Sequence, residues 1–436
     1  LRYDFQGFNL FFKYNEQSMK RNRFTIFAAS IGSILEWYDF LLYAYFATIL
    51  APLFFPAKDP FVSLLLTYSA FALGFLARPF GAFMIGRLGD VYGRRKALIF
   101  TICCMSIPTT VIGLLPTYAT IGILAPIMIV LIRCLQGFAV SGEISSAASF
   151  LIEHAAKHRR GFAGGLIMSS AFFGILFGAL VVTLFTLTIS TETLHAGGWR
   201  IPFLLAGVFG LVGFALRLRT TESHQFQMAA TKDIHASLKT LFAENYLLII
   251  KGVFVTTIVA IGNYFLISYF NTYLENSGHF GLGQATLINS LSIAVFVPAI
   301  AWFGAVSDKF GRKRVFMWGC ALLFLAAAPV FWLLMQYTFF TTLVGQLLFV
   351  IILAMTDGVI LTLLAEMFTT RVRNAGAALA YNISLAIFGG TAPLVALTLV
   401  HWAKHDVAPA IYLMAGAVIS FMLVATLKET SNQPLS

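Results

Sequence analysis

The sequence predicts an all-α integral membrane protein: twelve transmembrane helices in two pseudo-symmetric halves of six. Three observations carry this expectation. The chain is 59% hydrophobic and 11% charged, against about 45–50% apolar and about 25% charged residues in soluble domains. Its apolar residues fall into twelve long runs. One charged loop signature also occurs twice, half the chain apart. It reads Gly86-Arg-Leu-Gly-Asp90-Val-Tyr-Gly93-Arg94-Arg95-Lys96, and again Gly304-Ala-Val-Ser-Asp308-Lys-Phe-Gly311-Arg312-Lys313-Arg314. A duplicated loop inside a duplicated hydrophobic pattern marks a transporter built from two related halves.

The twelve runs cover about 24–50, 62–86, 97–115, 122–152, 161–188, 200–218, 247–274, 285–307, 315–336, 340–366, 374–400 and 408–427. Each is near or above the ~20 residues that span a bilayer as helix. Unalternating runs of this length mean helices, because lipid admits only helices and closed barrels. The expected organisation is an N-terminal segment 1–23, a first half 24–218, a polar linker 219–246, a second half 247–427 and a tail 428–436. Residues 1–18 lack the three-part pattern of a signal peptide, and Met19-Lys-Arg-Asn-Arg resembles a natural start. A chain starting at Met19 is therefore expected to insert and transport.

Orientation follows from lysine and arginine. With both termini cytoplasmic, the inner loops and tails hold 23 of the 29 basic residues. The outer loops hold only Lys58, Arg200 and Lys404. The net charge of +11 therefore belongs to membrane topology, not to nucleic-acid binding, since the charges sit between apolar runs. The four cysteines lie inside apolar runs without metal spacing.

Charges inside a membrane cost about 2.5–3.5 kcal/mol each on translocon scales and are functional by default. Glu36 lies about 13 residues into the first run, roughly 20 Å deep at ~1.5 Å per residue. Asp39 shares its face three residues on. Arg133 in the fourth run reaches a similar depth, with Gln136 one turn below it. Two acids facing one arginine leave a charge that can titrate, which favours a proton and substrate site over a static ion pair. Asp357 in the tenth run fits a second proton site, a substrate contact or a packing group. Arg78, before Pro79 in the second run, fits a gate, a substrate ligand or a structural tie. Glu143 shares a face with Gln136 and fits the inner gate. Asn263, Tyr264, Tyr381 and Asn382 place amides and phenols in apolar runs, which suits a small polar substrate or plain packing.

The paired signature, the twelve runs and a repeated Glu-x6-Arg (Glu153 to Arg160, Glu366 to Arg373) resemble the major facilitator superfamily. Five stretches narrow the resemblance to its metabolite:proton symporters. They are Glu36-Trp-Tyr-Asp39-Phe, Ala77-Arg78-Pro79, Arg133-x-x-Gln136-Gly137-Phe-x-x-Ser-Gly142-Glu143, Gly198-Trp199-Arg200-Ile-Pro202-Phe, and Tyr381-Asn382 with Phe388-Gly-Gly390. The chain departs at Ser141, where that family usually has glycine. The resemblance implies that Asp90 caps the inner start of the eleventh helix while Arg94 meets Glu153. It implies the same of Asp308, Arg312 and Glu366 in the other half. Gly86, Gly93, Arg95, Arg160, Gly304, Gly311 and Arg373 complete that gate. Members carry dicarboxylates, tricarboxylates, shikimate, and proline or betaines.

Nothing in the chain reads as an enzyme. The eight histidines are scattered, and no G-x-x-x-x-G-K-[ST] is present to couple ATP. No cofactor is expected, with the proton gradient as energy source. The leading expectation is proton-coupled import of a small polar metabolite, an organic acid or a zwitterion. It would work as a monomer in a bacterial cytoplasmic membrane. An uncoupled facilitator and a transporter-like nutrient receptor are the alternatives.

Overall fold

Every described element is a helix, in a computed structural model that describes residues 37–39, 41–92, 94–140, 143–218, 238–276, 279–369, 372–431 and 433. Glu36, Gly93, the N-terminal segment and most of the linker lie outside the described residues, as do the surroundings of Gly86 and the side chains of Asp90, Arg94, Arg95 and Glu143. Among the described residues, eight helices are long and apolar enough to cross a bilayer, and a bent pair raises this to nine. Three shorter apolar helices (Ile99–Leu114, Leu124–Ala139 and Pro409–Ala425) complete the expected twelve.

The first half comprises α1 (Trp37–Tyr45 with Ala47–Phe54), α2 (Pro60–Leu76 with Arg78–Tyr92), α3 (Arg94–Leu114), α4 (Leu124–Ala139 with Glu143–His154), α5 (Arg160–Thr188) and α6 (Arg200–Leu218). The second comprises α7, α8 (Leu282–Phe310), α9 (Arg312–Leu334), α10 (Phe339–Met367), α11 and α12 (Pro409–Ala425). In α7 the segments are Leu238–Val255, Thr257–Tyr264, a π-helical turn Phe265–Tyr269 and Phe270–Asn276. In α11 they are Arg373–Ser384, a π-helical turn Leu385–Gly389 and Ala392–Ala403. α7 begins inside the stretch expected as linker. Leu238, Leu241 and Phe242 recur at helical spacing, so the polar composition of 219–246 conceals a helical end.

Polar caps start some spans. Asp59 accepts the N–H of Phe61 at 2.9 Å before α2, and Thr338 accepts that of Thr341 at 3.2 Å before α10. Gly311 separates α8 from α9 with φ of 101°, a left-handed turn that a side chain would strain. This explains one glycine of the loop signature. Gly304 explains another. α5 packs along α8, and a Cβ at Gly304 would lie 2.5 Å from the carbonyl oxygen of Gly161 and 3.1 Å from that of Gly358 in α10. Backbones of three helices meet where no side chain fits.

Gly304→Leu is expected to hold these helices apart and cut the initial uptake rate about tenfold at matched membrane abundance. Overpacking costs about 1–3 kcal/mol, and about 1.4 kcal/mol is a factor of ten. An unchanged rate would refute the close-approach role.

Candidate functional site

A small cavity of about 10 Å³ lies at the centre of the bundle, where the halves meet. Its walls come from Trp37 on α1, Phe172 on α5, Asn263 and Tyr264 on α7, and Tyr381 on α11, among others. The volume is about that of one water position, so a larger solute requires the helices to part. The π-helical turns of α7 and α11 border it, contributing Ile267 and Leu385. Such turns are frequent at functional sites.

Three polar clusters surround the cavity. In the first, Arg133 is fully buried and donates to Gln136 Oε1 at 2.9 Å, and Gln136 donates to Thr109 at 2.7 Å. Its guanidinium lies 4.7 Å from the ring centre of Tyr43 and 5.0 Å from that of Phe71. The one-turn spacing of Arg133 and Gln136 read from the sequence is thus a direct contact. In the second, Arg78 donates to the Tyr264 hydroxyl at 3.3 Å and lies over Phe75. Tyr264 meets Phe71 and Phe75 edge-on. Aromatic faces therefore link the two buried arginines to the cavity wall, a contact that attracts cations.

The third cluster belongs to the second half. Asn263 donates to Asp357 Oδ1 at 2.8 Å, and both side chains are buried. Asp39, expected to face Arg133, instead accepts from Ser106 of α3 at 2.7 Å. Asp39 and Arg133 form no ion pair within 4 Å in this conformation. Glu36 lies outside the described residues. Asn263, Tyr264 and Tyr381 line the cavity, whereas Asn382 donates to the Ala378 carbonyl of its own helix. The sequence reading missed Trp37 and Phe172. Trp37 sits between the two acids it did single out, which was an available signal.

The face carrying the 304–314 loop is closed by charge. Asp308 accepts the N–H of Gly161 at 2.8 Å and of Phe162 at 2.9 Å, capping α5 across the boundary between halves. Arg312 pairs with Asp308 at 2.8 Å and with Glu366 at 3.6 Å. A carboxylate at a helix N-terminus is favoured by its exposed N–H groups and dipole. The cap that the family resemblance implied for this half is present in these contacts. The two Glu-x6-Arg repeats also meet each other across the halves. Glu153 of the first pairs with Arg373 of the second at 2.6 Å, and Arg373 also donates to the Ala365 carbonyl. The Arg94 side chain, the expected partner of Glu153, lies outside the described residues. Arg160 donates to the Gln433 carbonyl at 2.8 Å. Glu429 in the tail accepts the N–H groups of Arg312 and Lys313 at 2.9 and 3.2 Å, capping α9. The sequence reading gave the tail no part in the gate.

The opposite face is closed by neutral and singly charged contacts. Tyr68 of α2 bonds Thr272 of α7. Thr48 of α1 donates to Glu275 at 2.7 Å, and Thr183 of α5 bonds Ser290 of α8 at 3.0 Å. Phe61 stacks on His401 with ring centres 4.0 Å apart. Contacts among the described residues therefore bridge the halves on both sides of the cavity, by different chemistry at each.

Comparison with known proteins follows this geometry. The family model of the Major Facilitator Superfamily matches residues 39–393. A proline/betaine transporter of Salmonella typhimurium strain LT2 is 36% identical over 427 residues, covering 95% of this chain and 85% of the relative. The glycine betaine/proline/ectoine/pipecolic acid transporter OusA of Dickeya dadantii is 37% identical over 431 residues, with the same coverage. Among solved structures, the xylose transporter XylE from E. coli in a partially occluded inward open conformation has a TM-score of 0.75 at 18% identity, covering 95% of this chain and 100% of XylE. A D-xylose-proton symporter gives 0.76 at 19%, with the same coverage. These likenesses agree with the twelve helices, and the chain belongs to the Major Facilitator Superfamily, as a multi-pass membrane transporter of a small solute and not an enzyme.

Proposed function

We propose that the protein imports a small zwitterion of the proline or betaine kind together with a proton, by alternating access. The observation that carries this reading is the central cavity, lined by both halves, with separate contacts bridging the halves on each side of it. Rocking of the halves 24–218 and 247–427 opens one set of contacts while the other holds. Arg78 and Arg133 supply positive charge around the cavity, and Asp39 and Asp357 supply acids. Tyr264 and Tyr381 offer aromatic faces, which attract ammonium groups. An organic acid would use the arginines but give the acids and aromatic faces no partner. Relatives named for proline and betaines support the same class.

The face of the 304–314 loop is cytoplasmic in this reading, because basic residues concentrate there. Both termini share that side, and the membrane is a bacterial cytoplasmic membrane. The protein acts as a monomer, takes no cofactor and draws on the proton gradient. Glu36 or Asp39 carries the proton, and Arg133 controls its release.

The test is uptake into proteoliposomes of labelled proline, betaine, ectoine and a dicarboxylate, with and without an imposed inward proton gradient. Gradient-dependent accumulation of a zwitterion is expected. Equal fluxes with and without the gradient would indicate an uncoupled facilitator, and accumulation of the dicarboxylate alone would overturn the substrate class.

A further inference from the structure

The Asp357–Asn263 pair leaves two acceptors unused. Asp357 on α10 is fully buried, and Asn263 on α7 is 3% exposed and lines the cavity. The amide of Asn263 donates to Asp357 Oδ1 at 2.8 Å. The remaining oxygens, Asp357 Oδ2 and Asn263 Oδ1, have no hydrogen-bond partner among the described residues. A pair that only locked α7 to α10 would be expected to satisfy its own atoms, because a buried unpaired acceptor is costly. Two orphaned oxygens on joined side chains call for a donor that also carries positive charge. α10 is the most enclosed of the spans, and a solute that carries a cationic donor would satisfy both oxygens at once.

The neighbouring wall has the opposite character. Tyr264 follows Asn263 along α7 and accepts from Arg78 at 3.3 Å. Asn263 on the cavity wall and Asp357 bonded behind it thus supply acceptors, while a cationic donor is bonded to the next residue of α7. Tyr381 contributes a phenol ring to the same wall.

We propose that Asp357 and Asn263 form the subsite for the solute's ammonium group, with Arg78 directing its carboxylate to the opposite side. This rests on the zwitterion reading above and adds an orientation and two specificity-determining residues. An ammonium with two N–H groups, as in proline or N-methylglycine, satisfies both orphaned oxygens. A quaternary ammonium has none to give and is held by charge and by the aromatic faces alone.

The experiment is calorimetric binding to the purified full chain in detergent, with proline, N-methylglycine, N,N-dimethylglycine and betaine as probes. Asn263→Ala is expected to weaken proline and N-methylglycine about tenfold, dimethylglycine less, and betaine under about threefold, since hydrogen bonds to charged groups are the strong ones. Asp357→Asn is expected to weaken all four by more than about tenfold, because it removes the charge as well. Equal weakening of all four by Asn263→Ala, or unchanged affinities in Asp357→Asn with loss of proton-driven accumulation, overturns the subsite and leaves Asp357 a proton carrier. If Asp357→Asn does not fold, the graded series in Asn263→Ala decides alone. A wild-type chain that binds none of the four defeats the zwitterion reading itself, and the subsite with it.

Discussion

Asp308→Ala is expected to slow turnover by about a hundredfold or more while changing substrate affinity by less than about threefold. Asp308 accepts two backbone N–H groups at the start of α5 and pairs with Arg312 at 2.8 Å. Arg312 is fully buried, and its other acidic partner, Glu366, is 3.6 Å away. Removing one member of a buried pair costs about 3–5 kcal/mol, because the other charge is left uncompensated. In the proposed cycle the α5 cap and the closely spaced glycines belong to the arrangement in which this face is closed. The loss therefore falls on the closed arrangement and not on the open one, and it shifts the population towards the open one. About 1.4 kcal/mol is a factor of ten, which sets the expected size. Asp308→Asn keeps one acceptor oxygen for the cap and should be milder. Asp90→Asn, at the matching position of the first signature, is expected to slow turnover in the same way. Turnover is read as solute exchange in proteoliposomes and affinity as calorimetric binding. Equal turnover of variant and parent at matched abundance removes Asp308 from the gate.

What could be read from the sequence depended on how far each signal reached along the chain. The spans were legible because a bilayer imposes length and apolarity locally, residue by residue. Gly304 and Gly311 stood out because they recur in a loop signature, and the structure gives each a backbone reason. Asp308 was legible through the family resemblance, as a carboxylate beside a duplicated basic cluster. Contacts between distant segments were another matter. Glu153 pairs with Arg373 of the other half, and spacing within one repeat contains nothing about the partner repeat. Glu429 caps α9 from the tail, yet Lys428-Glu429-Thr430 looks like any polar end. Asp39 was expected to turn to Arg133 but bonds Ser106. Helical periodicity sets which residues share a face, not which neighbouring helix that face meets. The cavity residues Trp37 and Phe172 were lost among abundant aromatics, because lining a cavity is a property of the assembled bundle.

Neutralising the helix α1 acids is expected to remove accumulation while sparing exchange. One pH unit of inward gradient stores about 1.4 kcal/mol, so symport with one proton should concentrate the solute about tenfold. With Glu36→Gln or Asp39→Asn, whichever removes the proton carrier, the internal-to-external ratio should fall to about one. Solute-for-solute exchange should continue, because the fully loaded carrier need not release its proton to reorient. The physical basis is the cost of an uncompensated charge in the bilayer. Asp39 is buried with a neutral hydroxyl as its described partner, while Arg133 rests on aromatic faces and Gln136. In the proposed cycle an acid in that setting would cross neutral, carrying its proton, and rocking that brings Arg133 to the acid would release it. Solute binding needs only to favour one of these two arrangements for its flux to be tied to the proton's. The discriminating measurement is accumulation at an imposed gradient beside exchange at none, for both single variants and the double variant. Tenfold accumulation persisting in all three would place the coupling proton on another residue.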